Sequence, residues 1–126
     1  MDYRRWVQYA DEDWASAVIL LSVAPRNAGW LFQQAAEKHL KAVLVARGVK
    51  PPRTHDLQRL LALVDQASAG RDGDVPEAAL TIDNWLASGR YPGDDMPTTS
   101  EVAESLREAA GALRSFSTAL LAAEGR

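Results

Sequence analysis

The sequence contains no cysteine and only two histidines. Without cysteine the chain has no disulfide framework, no zinc-thiolate site and no cysteine nucleophile. No apolar run approaches the ~20 residues that are needed to cross a bilayer. The N-terminus is charged from its second residue, Asp2. We therefore expect a soluble cytoplasmic protein with no membrane association.

The sequence also lacks the alternating apolar and polar pattern of half-buried strands. Hydrophobic residues make up 47% of its 126 residues and charged residues 25%, as in average globular proteins. No internal repeat or low-complexity tract is found. We expect one domain over residues 1–126.

Apolar residues instead recur every three or four positions, which indicates helices. The pattern predicts a first helix at about 3–23 that Pro25 ends, and a second at about 27–47 that Gly48 ends. Thr54 is a candidate cap for a third helix, and Pro76 suits the first turn of a shorter fourth helix. A capping box of Thr98 and Glu101 precedes a last helix, whose apolar stripe is Val102, Leu106, Ala109, Leu113, Phe116 and Leu120.

These elements predict an all-α fold, an antiparallel up-and-down bundle of four longer helices and one short helix, because the loops between them are short.

The net charge of -3 conceals a basic block over residues 38–59. One acid, Asp56, stands there against six cations: Lys38, Lys41, Arg47, Lys50, Arg53 and Arg59. Such a local excess suits a phosphate, an RNA backbone or an acidic protein surface. A solvated basic face is the alternative.

Two polar residues fall among apolar ones on the predicted helices. Asp13 projects within the apolar stripe of the first helix, so it needs a basic or hydroxyl partner if it is ionised. His39 lies near the middle of the apolar face of the second helix. It is either a core histidine that is hydrogen-bonded to a backbone carbonyl or to Asp13, or a group that serves a ligand or proton transfer.

Glu37 and Lys41 have the four-residue spacing of a solvated helical ion pair. Lys38 and Lys41 nevertheless direct the basic block toward the loop that carries His55. We place His55 at the first position of the third helix, where it and exposed amides form a candidate phosphate site. With or without a bound phosphate, the Asp56 carboxylate next to His55 interacts favourably with the positive end of the helix dipole.

Familiar enzyme motifs are missing. There is no glycine-rich phosphate loop, no HExxH and no Glu-x-x-His pair of a di-iron bundle. We expect no metal and no cofactor.

Four segments together resemble the HEPN domain family: DWASA (13–17), FQQAAEKHLKAVL (32–44), THDL (54–57) and RYP (90–92). The resemblance covers about the first four-fifths of the chain. It implies a bundle of about five helices, frequent homodimers, association with nucleotides or RNA, and pairing with a small nucleotidyltransferase, often as toxin and antitoxin.

Many members of that family are metal-independent ribonucleases with an arginine, four to six residues, and then a histidine. This sequence departs from that pattern, because seven residues separate Arg47 from His55 and one separates Arg53 from it. The positions that resemble the RYP-bearing branch are Asp13, Glu37, Lys38, Lys41, His55, Asp56, Arg90 and Tyr91. His39 stands where that branch usually has a small apolar residue.

Three hypotheses remain open. The first is a dimeric module that binds a nucleotide or nucleic-acid phosphate through Lys38, Lys41, His55 and Arg90, with Tyr91 stacking on a base. The second is a ribonuclease in which His55 is the general acid or base and Arg90 or Arg53 stabilises the phosphate. The third is a structural interaction domain, in which the polar residues only hold the bundle together.

Overall fold

Five α-helices make up most of the chain that our computed structural model describes, which comprises residues 2–65, 74–88 and 97–124. In chain order they are α1 (Tyr3–Leu20), α2 (Pro25–Ala46), α3 (Leu57–Asp65), α4 (Asp74–Ser88) and α5 (Ser100–Glu124). These residues contain no strand. The predicted all-α helical bundle is confirmed.

Helix α2 is the central element of the bundle. It packs most extensively against α1 and also contacts α3 and α5, while α5 packs against α4. Because only residues 21–24 separate α1 from α2, the two helices run antiparallel. None of the described helices combines the length and the apolar character required to span a membrane.

Proline and glycine set the two ends of α2. Pro25 was expected to end the first helix, but α1 already ends at Leu20 and Pro25 begins α2, where its missing amide hydrogen costs nothing. Gly48 ends α2 as expected. It adopts a φ of 76°, and the amides of Gly48 and Val49 donate to the carbonyls of Val45 and Leu44. This is a Schellman motif, and its left-handed residue favours glycine.

Other helix boundaries differ from the predicted ones. The shortest helix is α3, with 9 residues, whereas α4 has 15. The cap of α5 is Thr99, whose hydroxyl accepts from the amide of Val102, and the hydroxyl of Thr98 accepts instead from Trp85 Nε1. The expected Thr54 cap of α3 was also wrong, because α3 begins at Leu57 and the Asp56 side chain accepts from the amide of Arg59. At both helix starts, nearby residues with similar capping chemistry compete for the cap position.

The core lies between α2 and the helices that cover it. The largest fully buried apolar side chains come from four helices: Phe32, Leu40, Leu44, Leu57, Leu60, Ile82, Leu106 and Leu113. Each contributes roughly 1.5–3 kcal/mol by leaving water. The stripe of α5 is rotated slightly from the predicted one, since Val102 is 37% exposed while Ala103 is buried.

Burial around α2 extends beyond one face. From Phe32 to Leu44 only two positions, Gln34 and Lys38, are not buried. The polar residues of this stretch, Gln33, Glu37, His39 and Lys41, are therefore enclosed and must satisfy one another or a residue of another element.

Candidate functional site

Glu37 is a buried carboxylate that contacts both a lysine and a histidine. Its Oε2 accepts a hydrogen bond from Lys41 Nζ at 2.9 Å, and its Oε1 lies 2.6 Å from His55 Nδ1. Only 7% of the Glu37 side chain and 9% of the Lys41 side chain are exposed. The expectation of a solvated ion pair was therefore wrong, because α2 is covered on more sides than its own periodicity indicates.

The two partners of Glu37 decide its ionisation. Burial alone would raise its pKa, but hydrogen bonds from Lys41 and His55 outweigh this effect and lower the pKa of Glu37 below its ordinary value. The carboxylate is consequently ionised at neutral pH. It favours the tautomer of His55 that carries a hydrogen on Nδ1.

Gln33 fixes the segment that carries His55. Its Nε2 donates to Glu37 Oε1 at 3.3 Å and to the backbone carbonyl of His55 at 3.1 Å. Its own Oε1 accepts from Gln34 Nε2 at 2.7 Å. Gln33 was not among the predicted residues. The signal that could have identified it is an amide side chain among the apolar residues of α2.

His55 itself remains accessible. Its side chain is 62% exposed, and Nε2 has no hydrogen-bond partner among the described residues. The ring centroid lies 6.2 Å from that of Trp30, at an interplanar angle of 57°. The exposed imidazole of His55 is thus hydrogen-bonded to the buried carboxylate of Glu37 and lies beside the exposed indole of Trp30.

Lys38 and Asp13 form an ion pair between α2 and α1. Both side chains are mostly buried, with 25% and 21% of their surfaces exposed. The expectation that Asp13 would be near-buried and meet a basic group is confirmed. Because its ammonium is already paired, Lys38 is better placed to tie the two helices together than to bind a ligand.

His39 is a core histidine, with 2% of its surface exposed. Its Nε2 lies 3.4 Å from Asp11 Oδ1, and Arg114 of α5 lies 3.5 Å from the same oxygen. The partner is therefore Asp11 and not Asp13. Burial lowers the pKa of His39, although Asp11 and the backbone carbonyl of Ala35 oppose the shift. A neutral imidazole inside the bundle favours the structural role.

The start of α3 does not offer free amides. His55 lies two residues before the helix, which begins at Leu57, so its placement in the first turn was wrong. Asp83 of α4 accepts from the amides of Leu57 and Gln58 at 2.9 and 3.0 Å, and Asp56 accepts from the amide of Arg59. Carboxylates thus occupy the place in which a phosphate was expected.

Asp83 was absent from the sequence-based prediction. Burial raises its pKa, and the adjacent Asp56 carboxyl adds to the increase, against the lowering effect of the two amides. No local pattern identifies a cap that comes from another helix, since it depends on how α3 and α4 pack.

A pocket opens at the other side of Lys41, where α2 ends. Its volume is about 540 Å³. The lining residues are Trp6, Lys41, Val45, Gly48, Val49, Lys50, Pro51, Pro52 and Arg53. Three of these described residues are cationic and none is acidic.

The cations of this pocket differ in their partners. Lys41 pairs with Glu37, and its ammonium lies 5.8 Å from the centroid of the Trp6 ring. Lys50 and Arg53 are exposed and have no ion-pair partner within the part of the chain that the structure describes. An anion that enters the pocket therefore meets two uncompensated charges and a third that is shared.

The structure joins some of the predicted site residues and separates others. It brings His55 and Lys41 to one carboxylate, and it places Lys38, Asp13 and His39 in contacts between helices. Arg90 and Tyr91 lie outside the described residues, as does the rest of the segment 89–95 (GRYPGDD). No group of three or more histidine, aspartate or glutamate side chains that could hold a metal ion occurs in the described ranges.

Among the lining residues, only Lys41 belongs to the predicted binding set. Lys50 was counted only as part of the basic block, and Trp6 was not assigned to a site. The combination of prolines and cations in KPPR (50–53) is the signal that could have identified this segment, because prolines keep it extended and outside a helix.

The fold and the site together define a class of protein: a five-helix bundle with a cationic pocket and a carboxylate-imidazole pair beside its central helix. A family model of the HEPN domain matches residues 3–120, and the chain belongs to that family.

Two solved structures have a similar fold. TT1696 from Thermus thermophilus is 26% identical, with a TM-score of 0.83 over 95% of this chain and 99% of that one. ST0689, an archaeal HEPN homologue, is 21% identical, with a TM-score of 0.75 over 94% of this chain and 97% of the other, and it supports the fold alone. No curated protein sequence matches the chain.

Proposed function

We propose that this HEPN protein binds the phosphate groups of a nucleotide or nucleic acid in the pocket at the end of α2. The observation that carries the proposal is the lining of the pocket, with Lys41, Lys50 and Arg53 and no acid among its described residues. Trp6 and the two prolines add apolar surface beside these cations, and low-polarity surroundings strengthen the attraction between an anion and a cation.

The experiment is a calorimetric titration of the protein with pyrophosphate and with a mononucleotide. Lys50→Ala and Arg53→Ala each remove one exposed cation, and each is expected to weaken binding of both probes and to reduce its dependence on salt. Arg107→Ala is the matched control, since Arg107 is also a partly exposed cation but lies on α5. Equal binding by all four proteins would refute the proposal.

The oligomeric state and the protein partner are both proposed from the family resemblance. By this proposal the protein forms a cytoplasmic homodimer and works with a small nucleotidyltransferase as a toxin-antitoxin-like pair. Sedimentation at micromolar concentration tests the dimer, since a monomer would refute it. Inspection of the neighbouring gene followed by co-purification tests the transferase. A neighbour that encodes no nucleotidyltransferase would argue against that part.

A metal-independent ribonuclease is the second candidate, and the Glu37–His55 contact of 2.6 Å favours it. A carboxylate on Nδ1 leaves Nε2 to accept a proton from the attacking 2′-hydroxyl, while Arg53 or Arg90 would stabilise the phosphate. The test is incubation with RNA in the presence of a chelator. Cleavage by the wild type that His55→Ala loses would support the enzyme, whereas no cleavage by either protein would exclude it.

A further inference from the structure

Of the four tryptophans in the chain, Trp30 is the most exposed, with 44% of its surface accessible. The other three have contacts within the fold. Trp14 packs edge-on against Phe32, Trp85 donates its Nε1 hydrogen to Thr98, and Trp6 lines the pocket. The exposed part of the Trp30 indole is therefore a planar apolar surface that a ligand can reach.

The neighbour of this indole is held in place. The ring of His55 stands 6.2 Å from the ring of Trp30, within the range of interacting aromatic pairs. Glu37 fixes the imidazole through Nδ1, and Gln33 fixes the backbone of His55. The two rings thus form an aromatic pair of which one member is anchored to buried side chains and both remain accessible.

The charges around the aromatic pair of Trp30 and His55 indicate which class of planar ligand it can bind. Arg53, which lines the pocket, is two residues from His55, so the pair and the pocket are at most ~7 Å apart along the chain. The nearest acid in sequence, Asp56, is engaged with the amide of Arg59 at the start of α3. Anions in general, an acidic peptide included, are attracted to these cations. A single-stranded nucleic acid fits the surroundings best, because each of its units places a flat base next to a phosphate, as the aromatic pair stands next to Arg53.

We infer that Trp30 and His55 form a stacking platform for a base of single-stranded nucleic acid whose neighbouring phosphate occupies the Lys50–Arg53 side of the pocket. This inference rests on the proposed phosphate binding and narrows it. A single phosphate group satisfies the pocket, whereas the platform also needs a base, and a chain places a base next to the phosphate of its neighbour at every position. The preferred ligand is consequently an oligonucleotide and not free phosphate.

The test compares ligands that differ only in their bases. The probes are pyrophosphate, a fluorescein-labelled single-stranded RNA of five nucleotides, and a labelled abasic chain with the same number of phosphates. The proteins are the wild type, Trp30→Ala, Trp30→Phe and Leu80→Ala. Leu80 is the matched control, because it is equally exposed, at 44%, and lies on α4.

Trp30→Ala is expected to weaken binding of the RNA by about 5- to 150-fold, the range for loss of one base-aromatic stack. Binding of pyrophosphate and of the abasic chain should not change. Trp30→Phe should retain most of the affinity, since an aromatic face remains, and Leu80→Ala should behave as the wild type.

Three results would overturn the inference. Trp30→Ala could leave the RNA affinity unchanged, or it could weaken all three probes equally. It could also convert a dimer into a monomer in sedimentation without ligand, which would show that a second copy covers Trp30. Failure of the wild type to bind pyrophosphate would instead remove the proposed phosphate site, so the two failures are distinguishable.

Discussion

Replacing Glu37 by glutamine keeps the size of the side chain but removes the charge between Lys41 and His55. Lys41 would then hold a buried ammonium without its counter-charge, since only 9% of its side chain is exposed. Removing one partner of a buried ion pair costs about 3–5 kcal/mol. Because Lys41 also borders the pocket and can gain water there, we expect the low end, about 3 kcal/mol.

The assays are thermal unfolding and urea unfolding, each followed by circular dichroism. For a domain of this size, about 3 kcal/mol lowers Tm by roughly 10 °C and shifts the urea midpoint without changing the slope. Glu12→Gln is the control, because Glu12 is an exposed glutamate of α1, and its effect should stay within about 0.5 kcal/mol. Adding Lys41→Met to Glu37→Gln should restore part of the loss, since the unpaired ammonium disappears.

The pH dependence follows from the lowered pKa of Glu37. A carboxylate whose pKa is lower in the folded state stabilises the protein above the unfolded value, about 4.3, and the contribution disappears as pH falls through the folded pKa. The difference between wild type and Glu37→Gln should therefore shrink below about pH 4. If Glu37→Gln costs no more than Glu12→Gln at pH 7, the ion pair does not stabilise the bundle and the reasoning fails.

Two further predictions concern the interior. A Cβ on Gly29 would lie 2.8 Å from Trp85 Cζ2, whereas one on Gly111 would lie 3.4 Å from Trp14 Cη2. Gly29→Ala should thus destabilise the bundle by about 1–3 kcal/mol in urea unfolding. Gly111→Ala should stabilise it by about 0.5–1 kcal/mol. Changes of the same sign in the free energy of unfolding would contradict the packing described for the two glycines. Burial lowers the pKa of His39. The contribution of its neutral imidazole to folding stability is therefore present above about pH 6.5 and is lost as pH falls through the folded pKa. His39→Leu should reduce the loss of stability between pH 7.5 and 5, and an unchanged slope would show that His39 does not titrate with unfolding.

The helices of this protein were predictable because their periodicity and their capping residues are local. The need of Asp13 for a basic partner was predictable too, since its place in an apolar stripe makes an unpaired charge too costly. The identity of that partner, Lys38, was not predictable, because it depends on the register between α1 and α2. The same limit explains why Asp11 and not Asp13 meets His39.

The burial of Glu37 and Lys41 shows a second limit of prediction from the sequence. A spacing of four residues predicts that the two side chains meet, but not whether water surrounds them. That depends on the helices that pack around α2, a property of the bundle as a whole. The Asp83 cap of α3 escaped prediction for the same reason.

The basic block divides at Gly48. Before it, Lys38, Lys41 and Arg47 pair with Asp13, Glu37 and Glu124, because mostly buried cations on a central helix need a counter-charge within reach. After it, the loop carries Lys50 and Arg53 and the exposed side of α3 carries Arg59, and none of the three has an ion-pair partner within the described ranges. A run of like charges thus has two physical roles on either side of one helix end. Lys41 takes part in both, since its ammonium neutralises Glu37 and also lines the pocket, so a phosphate bound there must compete with the carboxylate that orients His55.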